Sequence, residues 1–339
     1  GVLARDAASN RQIFESLMQR TKETGIAGEL KTSNIRVVDA AETPRGQSSP
    51  NVRNNLLIGF LGGPLIAIGI AFFFEYLDNA IKSPEELKQH LGLTFLGMVP
   101  AIFDKTIENP LVINEVPSNF AESFRAIRTN LLFSSAEEGS RSIVVTSTGP
   151  GEGKTVVAAN LALTLAQTGQ RVLLIDADMR KPRVHTVFDK RREPGLSNIL
   201  VGNAKVSTVV QTTGMPGLWV MPAGVYPPNP AELLGSRRYK DLIASLGEHF
   251  DWIVVDTPPV MAVTDASIAS HLATGVVFVV GSEMTGRTAA QRALEQLQHA
   301  HAKMIGAVLN RVDLQHNAYY YSQYYRREYS DYYHKGVAS

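Results

Sequence analysis

Not one of the 339 residues is cysteine, which excludes disulfides and thiol chemistry. Charge of one sign is missing too. The formal net charge is +1, so nothing global argues for nucleic acid as a partner. The eight histidines show no metal-ligand spacing, and His185 reads as structural rather than catalytic. No initiator Met stands at position 1 and no signal peptide follows, so a fragment of a longer chain or a processed product is expected.

One long stretch has no charge at all. Leu56 to Phe74 reads LLIGFLGGPLIAIGIAFFF. As a helix it would span about 28 Å, close to the hydrocarbon thickness of a bilayer. Gly59 and Gly63 suit close helix contact in a membrane, and Pro64 beside them could kink the helix. Flanking charge does not orient the span, because Arg45 and Arg53 before it balance Lys82 and Lys88 after it.

The strongest signal is Gly149-Pro150-Gly151-Glu152-Gly153-Lys154-Thr155 between the apolar run 142–147 and the helical pattern Val156 to Gln167. Read as G-x-x-x-x-G-K-[ST], it is a phosphate-binding loop for ATP or GTP. Glycines turn backbone N–H groups toward an anion, Lys154 reaches the β/γ-phosphates, and the Thr155 hydroxyl ligates Mg²⁺. With ATP cytoplasmic, the C-terminal side of the span is cytoplasmic and residues 1–55 lie outside.

Strands and helices alternate from 141 onward. Expected strands are 142–147, Val172–Asp176, Leu218–Pro222, Trp252–Asp256, Val276–Val280 and Ile305–Leu309, several of them continuous apolar runs suited to a parallel sheet covered on both faces. The fold class is therefore α/β, a doubly wound parallel sheet with its ligand at the carboxyl ends of the strands. Residues 2–24 read as an amphipathic helix ended by Gly25 and Gly28, 35–38 as one short strand, 75–117 as a linker with little core, and Pro117-Ser118 as the start of a helix to about Phe133. Arg287 and Thr288 open a helix and read as packing or surface contacts. The tail, 314–339, has no apolar periodicity. It holds Tyr319, Tyr320, Tyr321, Tyr324, Tyr325, Tyr329, Tyr332 and Tyr333.

Acidic strand ends extend the nucleotide site. Asp176 and Asp178 follow one buried strand and Asp256 ends another. Thr155 and Asp256 fit metal binding, while Asp176 and Asp178 sit where a base or an outer metal group would sit. On helix 118–133, Glu122 and Arg125 are i, i+3 neighbours with Arg128 on the same broad side, which by itself is a solvated charge pair worth a few tenths of a kcal/mol.

Together GPGEGKT, VLLIDADMRKPRVH and WIVVDTPP resemble the bacterial protein-tyrosine kinases, whose ATPase-like fold differs from that of eukaryotic kinases. Upstream, the helix, the approach through Pro44 and Pro50, and the glycine-rich span resemble the polysaccharide co-polymerases. The resemblance implies ATP with Mg²⁺, and Asn310-Arg311 on the adenine side next to Gly149, Gly151, Glu152, Gly153, Lys154, Thr155 and Val156. It implies a ring-like homo-oligomer, an octamer, joined through Glu122, Arg125 and Arg128, and a tail that is the autophosphorylation cluster. It further implies an inner-membrane location with residues 1–55 periplasmic, in contact with membrane lipid. The partners implied are a tyrosine phosphatase, a polysaccharide polymerase and an outer-membrane exporter, with no nucleic acid. Residues 118–313 would be the kinase domain. Two other readings stand beside this one: a switch ATPase of the partitioning or cell-division type, and a non-catalytic co-polymerase scaffold.

Overall fold

The computed structural model describes residues 2–29, 39, 43, 49–77, 79–103, 111–113, 116–134 and 141–314. The expected strand at 35–38 and all eight tail tyrosines lie outside the described residues. The chain divides into two compact units, Gly1–Phe74 and Glu75–Ser339.

The first unit contains α1 (Val2–Glu29) and most of α2 (Val52–Leu77). Helix α1 passes straight through Gly25 and Gly28, which were expected to end it. A helical glycine costs only about 1 kcal/mol relative to alanine, and no proline follows before Pro44. In α2 the stretch Val52–Phe73 has mean hydropathy 2.3 and none of it is buried. By length and composition it can cross a membrane. It continues through Pro64.

The second unit contains α3 (Pro84–Leu91), β1 (Phe95–Pro100), α4 (Ser118–Ser134), β2 (Arg141–Ser147), α5 (Lys154–Ala166), β3 (Val172–Asp176), α6 (Val184–Val187), α7 (Leu196–Leu200) and α8 (Val206–Val209). After these come β4 (Gln211–Thr212), β5 (Leu218–Met221), α9 (Pro230–Leu234), α10 (Arg237–Gly247), β6 (Trp252–Asp256), α11 (Asp265–Leu272), β7 (Gly275–Gly281), α12 (Arg287–His299) and β8 (Met304–Val312). The strands form one sheet in the order β1-β8-β7-β2-β6-β3-β5-β4. Every neighbouring pair is parallel except β4 with β5. Strands β3, β6 and β7 are buried along their whole length, which explains their unbroken apolar sequence. Alternate residues feed opposite cores: Val144 enters one with Leu173 and Ile253, while Ile143 and Val145 enter the other with Leu174 and Val254.

The expected linker 75–117 is largely part of this fold. The Ser83 side chain caps α3 by accepting the Glu86 amide at 3.2 Å, and the Glu86 carboxylate accepts the amide of Lys82, just before the cap, at 3.0 Å. Gly92 in the left-handed region ends it. Strand β1 then pairs with β8, and Leu96 and Val99 are buried against α4 and its neighbours. Gly97 permits this: a Cβ there would lie 2.5 Å from Ile127 Cγ1 of α4. Phe124 of α4 is fully buried, edge-on to Phe120 at 5.1 Å between ring centroids. Phe124→Ala should cost about 3–5 kcal/mol, read from the urea midpoint of the second unit. A loss under 1 kcal/mol would mean that α4 and β1 are not mutually locked.

Candidate nucleotide site

Five parallel strands deliver their carboxyl ends to one place. From β2 the chain runs through residues 148–153 into α5. Counted back from Gly153, the first glycine position of G-x-x-x-x-G-K-[ST] falls on Thr148, so the motif is complete only from Gly149 onward. Gly151 and Gly153 both have φ of 87°, open to glycine and strained for other residues.

The loop is gripped from β8. Asn310 Nδ2 donates to the Glu152 carbonyl at 2.7 Å. In a trans peptide the N–H points opposite to the C=O, so this bond turns the Gly153 N–H the other way, toward the open side of the loop. A Cβ on Gly153 would collide with Asn310 Nδ2. Glu152 is 4 % exposed; its Oε1 accepts the Thr285 hydroxyl at 2.6 Å and its Oε2 has no hydrogen-bond partner. Burial pushes this carboxyl above the ordinary glutamate range, against the Thr285 hydroxyl, which pulls it down.

At the start of α5, Lys154 Nζ lies 3.1 Å from Asp178 Oδ2. Burial alone would lower the Lys154 pKa, but the Asp256 and Asp178 charges outweigh it and hold the amine above the usual lysine value. The next residue, Thr155, donates its hydroxyl to Asp256 Oδ2 at 2.7 Å, which leaves the Thr155 lone pairs facing away. Asp256 Oδ1 is buried without a hydrogen-bond partner. A buried, orphaned carboxylate oxygen beside an outward-facing hydroxyl, next to a glycine cradle and a cation, fits a divalent metal bound with nucleotide phosphates.

Asp176 is engaged differently. Its Oδ2 accepts the Arg183 and Val184 amides, each at 3.0 Å, and its Oδ1 accepts the Asp178 amide at 3.2 Å. A carboxylate has about four acceptor positions, so about one is left for a metal-bound water. Burial and the neighbouring Asp256 hold it well above the ordinary aspartate range. Asp178 Oδ1 accepts the Lys181 amide at 2.9 Å, which fixes the turn that aims Oδ2 at Lys154.

Burial also pushes the Asp256 carboxyl up to about 6, against the pull of Lys154 and Thr155. The nucleotide-free fold therefore holds this proton more tightly than the unfolded chain, where Asp titrates near ~3.9. The contribution is fully present below about pH 3.9 and is lost as pH rises through about 6, on the order of 2–3 kcal/mol. Asp256→Asn should lack this decline, and parallel stability profiles for the two proteins from about pH 4 to 7 would contradict the assignment.

A cavity of about 510 Å³ adjoins the loop, lined by Phe103, Gly153, Val156, Met284, Asn310 and Arg311 among others. Asn310 thus borders this cavity while its amide holds the loop.

Asp265 was not singled out by sequence. Arg180 makes a two-pronged ion pair with Asp265, at 2.9 and 3.1 Å, and Asp265 is fully buried. Its one local signal is its place at the first position of α11. On α4, Glu122 and Arg125 form an exposed pair at 2.6 Å. Arg128 is turned inward instead, donating to the Thr164 carbonyl at 3.0 Å. His185 is half-buried, and burial, with Arg192 nearby, lowers its pKa. Arg287 pairs with Glu86 at 3.2 Å and Thr288 accepts from Asn79, so both are packing contacts.

Comparison with known proteins places a nucleotide-binding domain over the same part of the chain. Residues 143–335 match the CobQ/CobB/MinD/ParA nucleotide binding domain, and residues 2–75 match the G-rich domain GNVR. The chain is 41 % identical over 214 residues to tyrosine-protein kinase YwqD of Bacillus subtilis, covering 63 % of this chain and 90 % of that protein. It is 30 % identical over 330 residues to tyrosine-protein kinase etk of Escherichia coli, covering 91 % of this chain and 45 % of that protein. The chain thus spans about half the length of the long curated relatives it matches. Among solved structures, the kinase domain of the Escherichia coli tyrosine kinase ETK superposes with a TM-score of 0.63 at 30 % identity, over 69 % of this chain and 96 % of that one. The chimerical protein CapA2B2 gives 0.63 at 37 %, over 68 % and 100 %. With a loop-and-carboxylate site on this sheet and kinase relatives over most of its length, the chain belongs to the bacterial tyrosine-protein kinases built on the CobQ/CobB/MinD/ParA nucleotide-binding domain.

Proposed function

We propose that the chain carries an ATP-dependent protein-tyrosine autokinase, anchored in the bacterial inner membrane by α2, that phosphorylates the tyrosine cluster at its own C-terminus. The observation that carries this reading is the contact of Lys154 with Asp178 beside the Thr155–Asp256 pair. A phosphate arriving at the loop competes with Asp178 for Lys154. The amine then neutralises phosphate charge, and Asp178 Oδ2 is released to orient the tyrosine hydroxyl and take its proton. Thr155 and Asp256 hold Mg²⁺, which when bound offsets charge on the phosphate oxygens. Asp176 keeps the Asp178 turn in place and reaches the metal only through water. Phe103, Val156, Asn310 and Arg311 border the adenine side.

Trans-phosphorylation follows from assembly. Glu122 and Arg125, exposed on α4, meet a neighbouring copy in a ring, and Arg128 supports that face from inside. Each phosphate adds about −1.5 to −2 charge, so several on adjacent tails repel and loosen the ring. A phosphatase resets it. Residues 1–55 are periplasmic, and the cycle regulates polymerisation and export of a surface polysaccharide with a polymerase and an exporter.

Intact mass before and after Mg²⁺-ATP is the test. Successive phosphate additions that vanish when the eight tail tyrosines become Phe support the autokinase. ATP hydrolysis without mass gain would replace it with a switch ATPase, and neither change would favour a scaffold.

A further inference from the structure

The loop between β7 and α12 touches the phosphate loop on one side and the chain leaving α2 on the other. Residues 79–81 run antiparallel to it. Arg287 N donates to Asn79 O at 2.7 Å, Ile81 N to Thr285 O at 2.9 Å, and Glu283 N to Ile81 O at 3.0 Å. Ala80 and Gly286 face each other across this bridge, and Asn79 Nδ2 donates to Thr288 Oγ1 at 3.1 Å. Helix α2 ends at Leu77, two residues before Asn79.

Thr285 joins the two sides. Its carbonyl holds Ile81, while its hydroxyl accepts the Gly281 amide at 2.9 Å and donates to Glu152 Oε1 at 2.6 Å. Ile81, Thr285 and Glu152 are 0, 1 and 4 % exposed, so water cannot replace a lost partner there. Glu152 Oε2 already lacks a hydrogen-bond partner. Without the Thr285 hydroxyl the other side-chain donor near this carboxylate is the Ser147 hydroxyl, which already donates to the Gly149 carbonyl at 2.9 Å. The remaining alternatives are the amides of the phosphate loop itself, including those of Thr148 and Gly149. An unlatched carboxylate would therefore compete with phosphate for the N–H groups that bind it.

We propose that Thr285 is a positioning residue: it transmits the placement of the segment leaving α2 to the phosphate loop through Glu152, and so sets nucleotide affinity. This rests on the reading of that loop as the ATP site.

The test is steady-state tail phosphorylation by the full chain in detergent. Thr285→Val should raise KM for ATP about tenfold with kcat within about twofold, and Thr285→Ser should restore KM. Asn79→Ala should raise KM about threefold on its own and add nothing in the Thr285→Val background. Unchanged KM in Thr285→Val, a fall in kcat alone, or independent multiplication of the two effects would overturn the proposal. If Thr285→Val does not fold, the exposed pair decides. Asn79→Ala and Thr288→Val should raise KM equally and non-additively, and no change in either overturns the proposal. A wild-type chain that neither binds nor turns over ATP would sink the nucleotide reading itself, a separate outcome.

Discussion

Lys154→Met will reduce tail phosphorylation by about 10²–10³-fold or more while leaving the chain folded. Lys154 is the cation that faces both Asp178 and Asp256, and those two charges keep it protonated despite burial. An incoming nucleotide brings further negative charge to the same place. Without the amine, phosphate and carboxylates repel across a poorly hydrated site, where such terms are largest. The fold survives because Asp256, already pushed up to about 6, can keep its proton. The measurement is the single-turnover rate of phosphate transfer alongside circular dichroism of the same sample. A rate within tenfold of wild type would remove Lys154 from the chemistry. It would also leave the Asp178 contact as a structural ion pair.

Gly153→Ala should be nearly as damaging, for a mechanical reason. The residue sits at φ 87°, and its new Cβ would collide with the Asn310 amide. Backbone strain of this kind costs about 1–3 kcal/mol, and relieving the collision means moving Asn310 off the Glu152 carbonyl. The peptide that turns the Gly153 N–H outward then loses its anchor. Nucleotide affinity is expected to fall about 100-fold, read by calorimetric titration, with a lowered melting temperature. Adding Asn310→Ala separates the two causes. It removes the colliding amide and should recover only part of the lost melting temperature, because the φ strain remains, and none of the affinity, because the Glu152 carbonyl stays unheld. Recovery of both would show that the Asn310 clamp does not orient the loop.

What could be read from the sequence follows from how local each signal is. Strands β3, β6 and β7 declare themselves because strands covered on both faces need apolar side chains at every position. The phosphate loop declares itself through closely spaced glycines before Lys154 and Thr155. Strand β1 does not: Gly97 and Pro100 interrupt its six residues, and both suit close packing and an edge position rather than a visible pattern. Strand β4 is two residues long and leaves no pattern. Thr285 and Asp265 were missed because their partners, Glu152 and Arg180, are 133 and 85 residues away. No spacing rule reaches that far. Asp176 was noticed as an acid at the end of a buried strand, but three backbone amides occupy most of its acceptors. Residue type alone does not reveal that occupancy. Arg128 shares its helix with Glu122 and Arg125, yet its guanidinium turns to the Thr164 carbonyl of α5.

Strand β1 also decides where this protein can be cut. It hydrogen-bonds β8 along one side of the sheet, from Phe95 opposite Ala307 to Pro100 opposite Val312. A chain severed after Pro117 would strip that cover and leave the outer side of β8, from Ala307 to Val312, as a bare rim of unpaired N–H and C=O groups. Such a rim recruits any extended strand it meets, including that of a second truncated copy. A soluble catalytic piece must therefore begin upstream of Phe95, with α3 and its cap, or it will be lost to self-association before its activity can be judged.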